Sequence, residues 1–101
     1  MSKYKIITYY KVYDFIENLD EARRARVDRI YYYFEDYGTY LPSKDLKKIG
    51  NKIWELRPGD IRLFLTIKGN MAHVVHGIYK KTQKTPKKDL ELAIKRIKRI
   101  K

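Results

Sequence analysis

The sequence predicts an α+β domain built on a small antiparallel sheet, with two helices ahead of the sheet's hairpins and one helix behind them, in the order β-α-α-β-β-β-α. Three observations predict it. Side chains alternate with period two from Ile53 to Tyr79, interrupted by two turn sequences. Apolar residues recur at helical spacing before Gly38 and again after Pro86. Aromatic and β-branched residues crowd the segment Tyr4–Tyr10.

That first segment, Y-K-I-I-T-Y-Y, reads as a strand. Asp14 is the expected N-cap of a short helix through Phe15 and Ile16. A longer helix is predicted from about Asp20 to Tyr37, with Ala22, Val27, Ile30, Phe34 and Tyr37 on one stripe and Arg23, Arg24, Arg26 and Arg29 elsewhere. Tyr31, Tyr32 and Tyr33 span more than one helix face, so Tyr33 is expected at the core rim and Tyr31 or Tyr32 under a segment of a partner protein, with stacking on RNA as the alternative use of these rings. Gly38 ends the helix, and a connector containing Pro42 runs to Lys48. Strands follow at Ile53–Arg57, Ile61–Lys68 and Met71–Tyr79, joined by turns at Pro58-Gly59 and Gly69-Asn70. Thr85 as N-cap and Pro86 at the first helical position open the last helix, whose stripe is Leu90, Ala93, Ile94, Ile97 and Ile100.

The 101 residues suit one domain, 1–101, with one modest core and no second. Cysteine is absent, which excludes a disulfide framework, a thiolate zinc site and a cysteine nucleophile. No apolar run is long enough for a membrane span, and Met1–Lys11 resembles no signal peptide, so a cytoplasmic protein without a membrane partner is expected. Lys and Arg number 24 against 12 Asp and Glu, a formal charge of +12. The stretch from Lys80 to Lys101 holds ten basic and two acidic residues, so +8 of the +12 lies there. Such a one-signed run, including Lys87, Lys88 and Lys95, is suited to phosphate contact, as in RNA.

Alternation sorts the sheet into two faces. Ile61, Leu63, Leu65 and Ile67 share one face with Trp54 and Leu56, the expected seat of the helices. With two-residue turns, Glu55 stands opposite Arg62, Arg62 opposite Gly77 and Phe64 opposite Val75. The second face then carries Glu55, Arg57, Arg62, His73 and Tyr79, with Lys81 just beyond, while His76 points to the core. Gly77 beside Arg62 would leave room for a pocket.

These strands also carry a resemblance. Ile53-Trp54-Glu55-Leu56-Arg57, Ile61-Arg62-Leu63-Phe64 and Val75-His76-Gly77-Ile78-Tyr79-Lys80-Lys81-Thr82-Gln83-Lys84-Thr85-Pro86 resemble, in order and spacing, the HigB-like branch of the RelE/ParE toxin superfamily, including its phage-derived members. Leu92-Ala93-Ile94-Lys95-Arg96 resembles its closing helix. The resemblance implies a curved sheet, cleavage of mRNA, often on the ribosome, and neutralisation by a HigA-like helix-turn-helix antitoxin; the +8 tail then suits phosphate contact with rRNA. Arg57 and Arg62 match the family's paired-strand arginines, Lys80, Lys81 and Lys84 its basic turn, and Tyr79 an aromatic position. Glu55 departs from the RelE branch, where lysines precede the first arginine.

RNA cleavage through the 2′-OH needs a base, an acid and cations on the phosphate. Arg57 and Arg62, helped by Lys81, are the expected phosphate cations. Glu55 or His73 is the candidate base, His73 or a lysine the acid, and Tyr79 a stacking platform, with Lys80, Lys84, Lys87, Lys88 and Lys95 binding RNA. Two histidines without cysteine suggest no metal site, and no cofactor is expected. Two other readings fit the same residues: a ParE-like gyrase inhibitor without nuclease activity, and a non-catalytic basic RNA-binding module.

Overall fold

The computed structural model describes residues 3–81 and 84–100. Thr82 and Gln83 of the basic turn lie outside the described residues. The elements are β1 (Lys5–Thr8), α1 (Tyr10–Glu17), α2 (Glu21–Tyr37), a 3-10 turn (Gly38–Tyr40), β2 (Leu46–Gly50), β3 (Ile53–Leu56), β4 (Ile61–Lys68), β5 (Met71–Tyr79) and α3 (Lys87–Lys98). The α+β class and the succession of helices agree with expectation. The sheet is larger, with five strands in the order β1-β5-β4-β3-β2. β2 falls in the predicted connector and adds an antiparallel edge beside β3, anchored by buried Leu46. At the opposite edge β1 pairs parallel to β5, so the sheet is mixed and not wholly antiparallel. No helix among the described residues is long and apolar enough to cross a membrane.

α1 begins at Tyr10, four positions before the predicted cap at Asp14, which lies inside the helix. Val12 and Ile16, one turn apart, bury on the same face, and Leu19 follows them into the core; this stripe draws the chain into a helix straight after β1. α2 behaves as predicted at its start, where the Asp20 carboxylate accepts from the Arg23 backbone N–H. Val27, Ile30 and Phe34 bury, whereas Ala22 and Tyr37 stay exposed. Among the three tyrosines, Tyr31 packs inward and its hydroxyl bonds Thr8 Oγ1 at 3.0 Å, while Tyr32 and Tyr33 are exposed. This reverses the expectation for Tyr33, because the stripe through Val27, Ile30 and Phe34 sets the helix rotation.

Helices cover both faces of the sheet. α1 and α2 bury Leu56, Ile61, Leu63, Leu65 and Val74 on one side. α3 lays Ala93, Leu90 and Ile97 over Ile53, Phe64 and Val75 on the other. A second, smaller apolar cluster therefore exists, contrary to the one-core expectation, because the closing helix needs its own partner for its stripe. Pro86, rather than Thr85, occupies the N-cap position of α3, and no side chain caps that end.

The registers differ from prediction in two ways. Trp54, Glu55 and Leu56 pair with Leu65, Phe64 and Leu63. This is a slip of two residues, which leaves every side chain on its predicted face. On the other side of β4, Thr66 pairs with His73 and Leu65 with Val74 as predicted, but then the register shifts, and Phe64 faces His76, Leu63 Gly77, Arg62 Ile78 and Ile61 Tyr79. The shift is a β-bulge at Val75 and reverses every residue after it. His76 thus moves to the α3 face, and Tyr79 to the α1 face. Gly77 makes no pocket beside Arg62; it admits Phe15, whose Cδ2 would lie 2.9 Å from a Cβ there.

Two substitutions probe this packing. Gly38 closes α2 at φ +51°, and a Cβ there would fall inside the Tyr4 ring, which packs on Phe34 with ring centroids 5.4 Å apart. Gly38→Ala should therefore destabilise the fold by about 3 kcal/mol or more in urea denaturation. Burial pushes the Tyr31 phenol up to about 12, with the Thr8 bond acting in the opposite direction. Because the folded value lies above the unfolded value of about 10, the stability it contributes is complete below pH ~10 and is lost as pH rises through about 12. Tyr31→Phe should flatten that part of the alkaline stability profile.

Candidate functional site

β2, β3 and β4, the end of β5 and the start of α3 enclose a cleft of about 390 Å³. Glu55 projects from β3 toward the α3 side, where alternation places it between the core-facing Trp54 and Leu56. Lys47 stands opposite it on β2. Arg57 leaves β3 one step later, held by its backbone N–H on the Asp45 carbonyl at 2.7 Å. Arg62 comes from the start of β4, with Ile78 beside it on β5. Lys80, Lys81, Lys84, Thr85 and Pro86 close the rim.

The cleft is built around one carboxylate. Glu55 is 4% exposed. Its Oε1 accepts from Arg57 Nε at 2.7 Å and lies 3.7 Å from Arg62 Nε. Its Oε2 accepts from the Thr85 hydroxyl at 3.0 Å. Arg62 also donates from Nη1 to the carbonyls of Gly59 and Ile61, at 2.7 and 2.9 Å, so its guanidinium is held at both ends. Burial lowers the Arg62 pKa below the usual arginine value; Glu55 works against that shift, and Arg57 adds to it. An arginine remains charged at such positions. Six cationic side chains thus line the cleft, Lys47, Arg57, Arg62, Lys80, Lys81 and Lys84, against the single carboxylate of Glu55. Their summed positive charge makes the cleft attractive to an anion.

Of the residues singled out in the sequence, Glu55, Arg57, Arg62, Lys80, Lys81 and Lys84 meet in this cleft. His73 does not. It sits five positions before Ile78 on β5, roughly 16 Å along the strand, and lines a separate cavity with Tyr9, Arg96 and Arg99. Tyr79 is also elsewhere. The bulge turns its ring to Phe15 (centroids 5.6 Å apart), and the Arg23 guanidinium lies 5.5 Å above it. Arg23 in turn grips Asp60 with donors at 2.8 to 3.1 Å, and this pairing holds the Asp60 carboxyl below the usual carboxylate range. Lys87, Lys88 and Lys95 are exposed on α3 outside the cleft lining, and Lys87 reaches Glu91 at 3.9 Å.

Three contributors escaped the sequence reading. Lys47 lies on β2, within the segment expected to be a connector, although the Leu46-Lys47 alternation hints at a strand. Thr85, the expected helix N-cap, donates its hydroxyl to Glu55 instead. His76, expected in the core, stacks on Phe64 and bonds Asp89 of α3 at 2.8 Å, while Arg96 donates to the Val75 carbonyl at 2.8 Å. These two contacts fasten α3 to the bulge and so hold the cleft rim over the sheet. No group of three or more His, Cys, Asp or Glu that could hold a metal occurs among the described residues.

Glu55→Gln should destabilise the protein by about 2–4 kcal/mol in urea denaturation, because Arg57 and Arg62 would then face each other without their counter-charge.

A family model described as "Phage derived protein Gp49-like (DUF891)" matches residues 14–98. No curated protein matches the sequence.

Proposed function

Because the chain belongs to the Gp49-like phage-derived family, which is associated with the toxins of toxin–antitoxin modules, we propose that it is such a toxin and that it cleaves mRNA in the Glu55–Arg57–Arg62 cleft. The observation that carries this reading is the convergence of six cations around one buried, fully bonded carboxylate. A backbone phosphate with its adjacent ribose is an anion with a nearby hydroxyl, which suits that combination of charges.

In this reading the scissile phosphate enters between Arg57 and Arg62 and takes over the guanidinium donors. Oε1 of Glu55, released from Arg57, then accepts the proton of the ribose 2′-OH. The 2′-oxygen attacks phosphorus, the P–O5′ bond breaks, and a 2′,3′-cyclic phosphate and a 5′-hydroxyl result. The two arginines stabilise the charge gathering on the phosphorane oxygens. Lys81 gives a proton to the departing O5′. Thr85 and Arg62 keep Glu55 oriented while Arg57 exchanges partners. This reading assigns no proton transfer to His73, which lines another cavity. This reading gives Tyr79 no stacking role, because its ring packs against Phe15 on the far face of the sheet.

The finer assignment to the HigB-like branch rests on the strand and turn motifs. Its consequences are a cytoplasmic site of action on the ribosome, phosphate contacts from Lys87, Lys88 and Lys95 to rRNA, and a helix-turn-helix antitoxin as the neutralising partner. Expression of the wild-type protein should arrest growth and produce new transcript 5′ ends. Arg62→Ala, with native circular dichroism, should abolish the arrest and lower cleavage roughly 10²–10³-fold. Arrest that persists in the folded variant would overturn the assignment. Arrest without new 5′ ends would point to the gyrase-inhibitor reading.

A further inference from the structure

The cleft has a neighbour. A second cavity, of about 170 Å³, lies between α2 and the β3–β4 turn, lined by Arg26, Arg29, Tyr33, Asp45, Arg57 and Pro58 among others. Arg57 lines both cavities, so they share a wall. Arg26, Arg29 and Tyr33 fall on one stripe of α2 at positions i, i+3 and i+7, and Tyr37 continues it. Gly59 lets Arg26 lie close over the turn, where the Arg26 Cδ would be 3.0 Å from a Cβ. Among the described residues neither Arg26 nor Arg29 has an ion-pair partner; the nearby Asp60 is held by Arg23. Tyr33 is 45% exposed, and Tyr32, Tyr37 and Tyr40 beyond it are more so.

We infer that this α2 stripe is a second binding segment for single-stranded RNA, continuous with the cleft. The inference rests on the RNA reading of the cleft. Nucleotides flanking the scissile phosphate leave over Arg57, their phosphates meet Arg26 and Arg29, and a base stacks on Tyr33. The spacing fits, since Arg26 to Tyr33 covers about 10 Å along the helix, about three stacked nucleotides at ~3.4 Å each. Three arginines around the cavity favour a polyanion, and exposed tyrosine rings accept any base. Asp45, the one acid in the lining, repels phosphate but accepts from the amino or imino hydrogens of a base, so it selects a base at this point over a phosphate.

The test uses fully 2′-O-methylated oligonucleotides, which bind but cannot be cleaved, in fluorescence anisotropy across a salt series. An octanucleotide should bind the wild-type protein at least ~10-fold tighter than a trinucleotide. Tyr33→Ala should cost octanucleotide binding ~10-fold, from a stacking contribution of ~1–3 kcal/mol, and much less for the trinucleotide; Tyr33→Phe should restore it. Arg26→Ala combined with Arg29→Ala should reduce the octanucleotide salt slope by about 1.4, the release expected for two single-strand phosphates. Thermal melts verify that the variants are folded. The proposal is overturned if length brings no gain in the wild type, or if folded variants keep the octanucleotide affinity and slope; the latter result would assign the stripe to a protein partner. Cleavage of ordinary RNA is read separately. A wild-type protein that shows the length gain but cuts nothing would sink the nuclease reading and leave this one standing.

Discussion

A carboxylate removed from water is stable only when its charge is countered and each of its oxygens finds a donor. Glu55 meets that condition with three partners from three parts of the chain. Arg57 follows it on β3, Arg62 opens β4, and Thr85 precedes α3. The bond to Thr85 spans 30 residues and draws the basic turn down onto the sheet. The position of the cleft rim, and the crowding of lysines along it, follow from this one group. The same arrangement leaves the cleft strongly positive, with Lys47, Arg57, Arg62, Lys80, Lys81 and Lys84 around one carboxylate.

The second organising feature is the bulge at Val75. It places Val75 and His76 on the same side of the sheet, where α3 grips both, through apolar packing on Val75 and through the His76–Asp89 and Arg96–Val75 hydrogen bonds. The same extra residue turns Tyr79 to the α1 face, where it joins Phe15 and Arg23. One backbone irregularity therefore decides which ends of β5 serve the cleft. Bulges commonly re-aim side chains beside functional sites in this way.

Legibility in the sequence followed the parity of these errors. The β3–β4 hairpin slipped by two residues from its predicted pairing, an even number, and Glu55, Arg57 and Arg62 still reached the face assigned to them. The β4–β5 pairing slipped by one, and His76 and Tyr79 were assigned to the wrong faces. His73 kept its face, opposite Thr66, yet the length of β5 carried it away from the cleft. Lys47 and Thr85 were hidden because a five-residue edge strand and a hydroxyl with two plausible uses leave little local pattern.

Local pattern in the chain is enough for the α+β class, the main helix and hairpin segments, the excess of basic charge and the alternation that sets a carboxylate and two arginines on one side of a sheet. Periodicity and charge are properties of neighbouring residues, so they survive without knowledge of the fold. The parallel pairing of β1 with β5, the cover of α3 over the second face, and the continuation of the arginine wall of the cleft onto the Arg26–Tyr33 stripe of α2 emerge with the folded chain. Those outcomes depend on the packing of segments distant in the chain, whose energies are comparable to those of alternative pairings until the whole core is assembled.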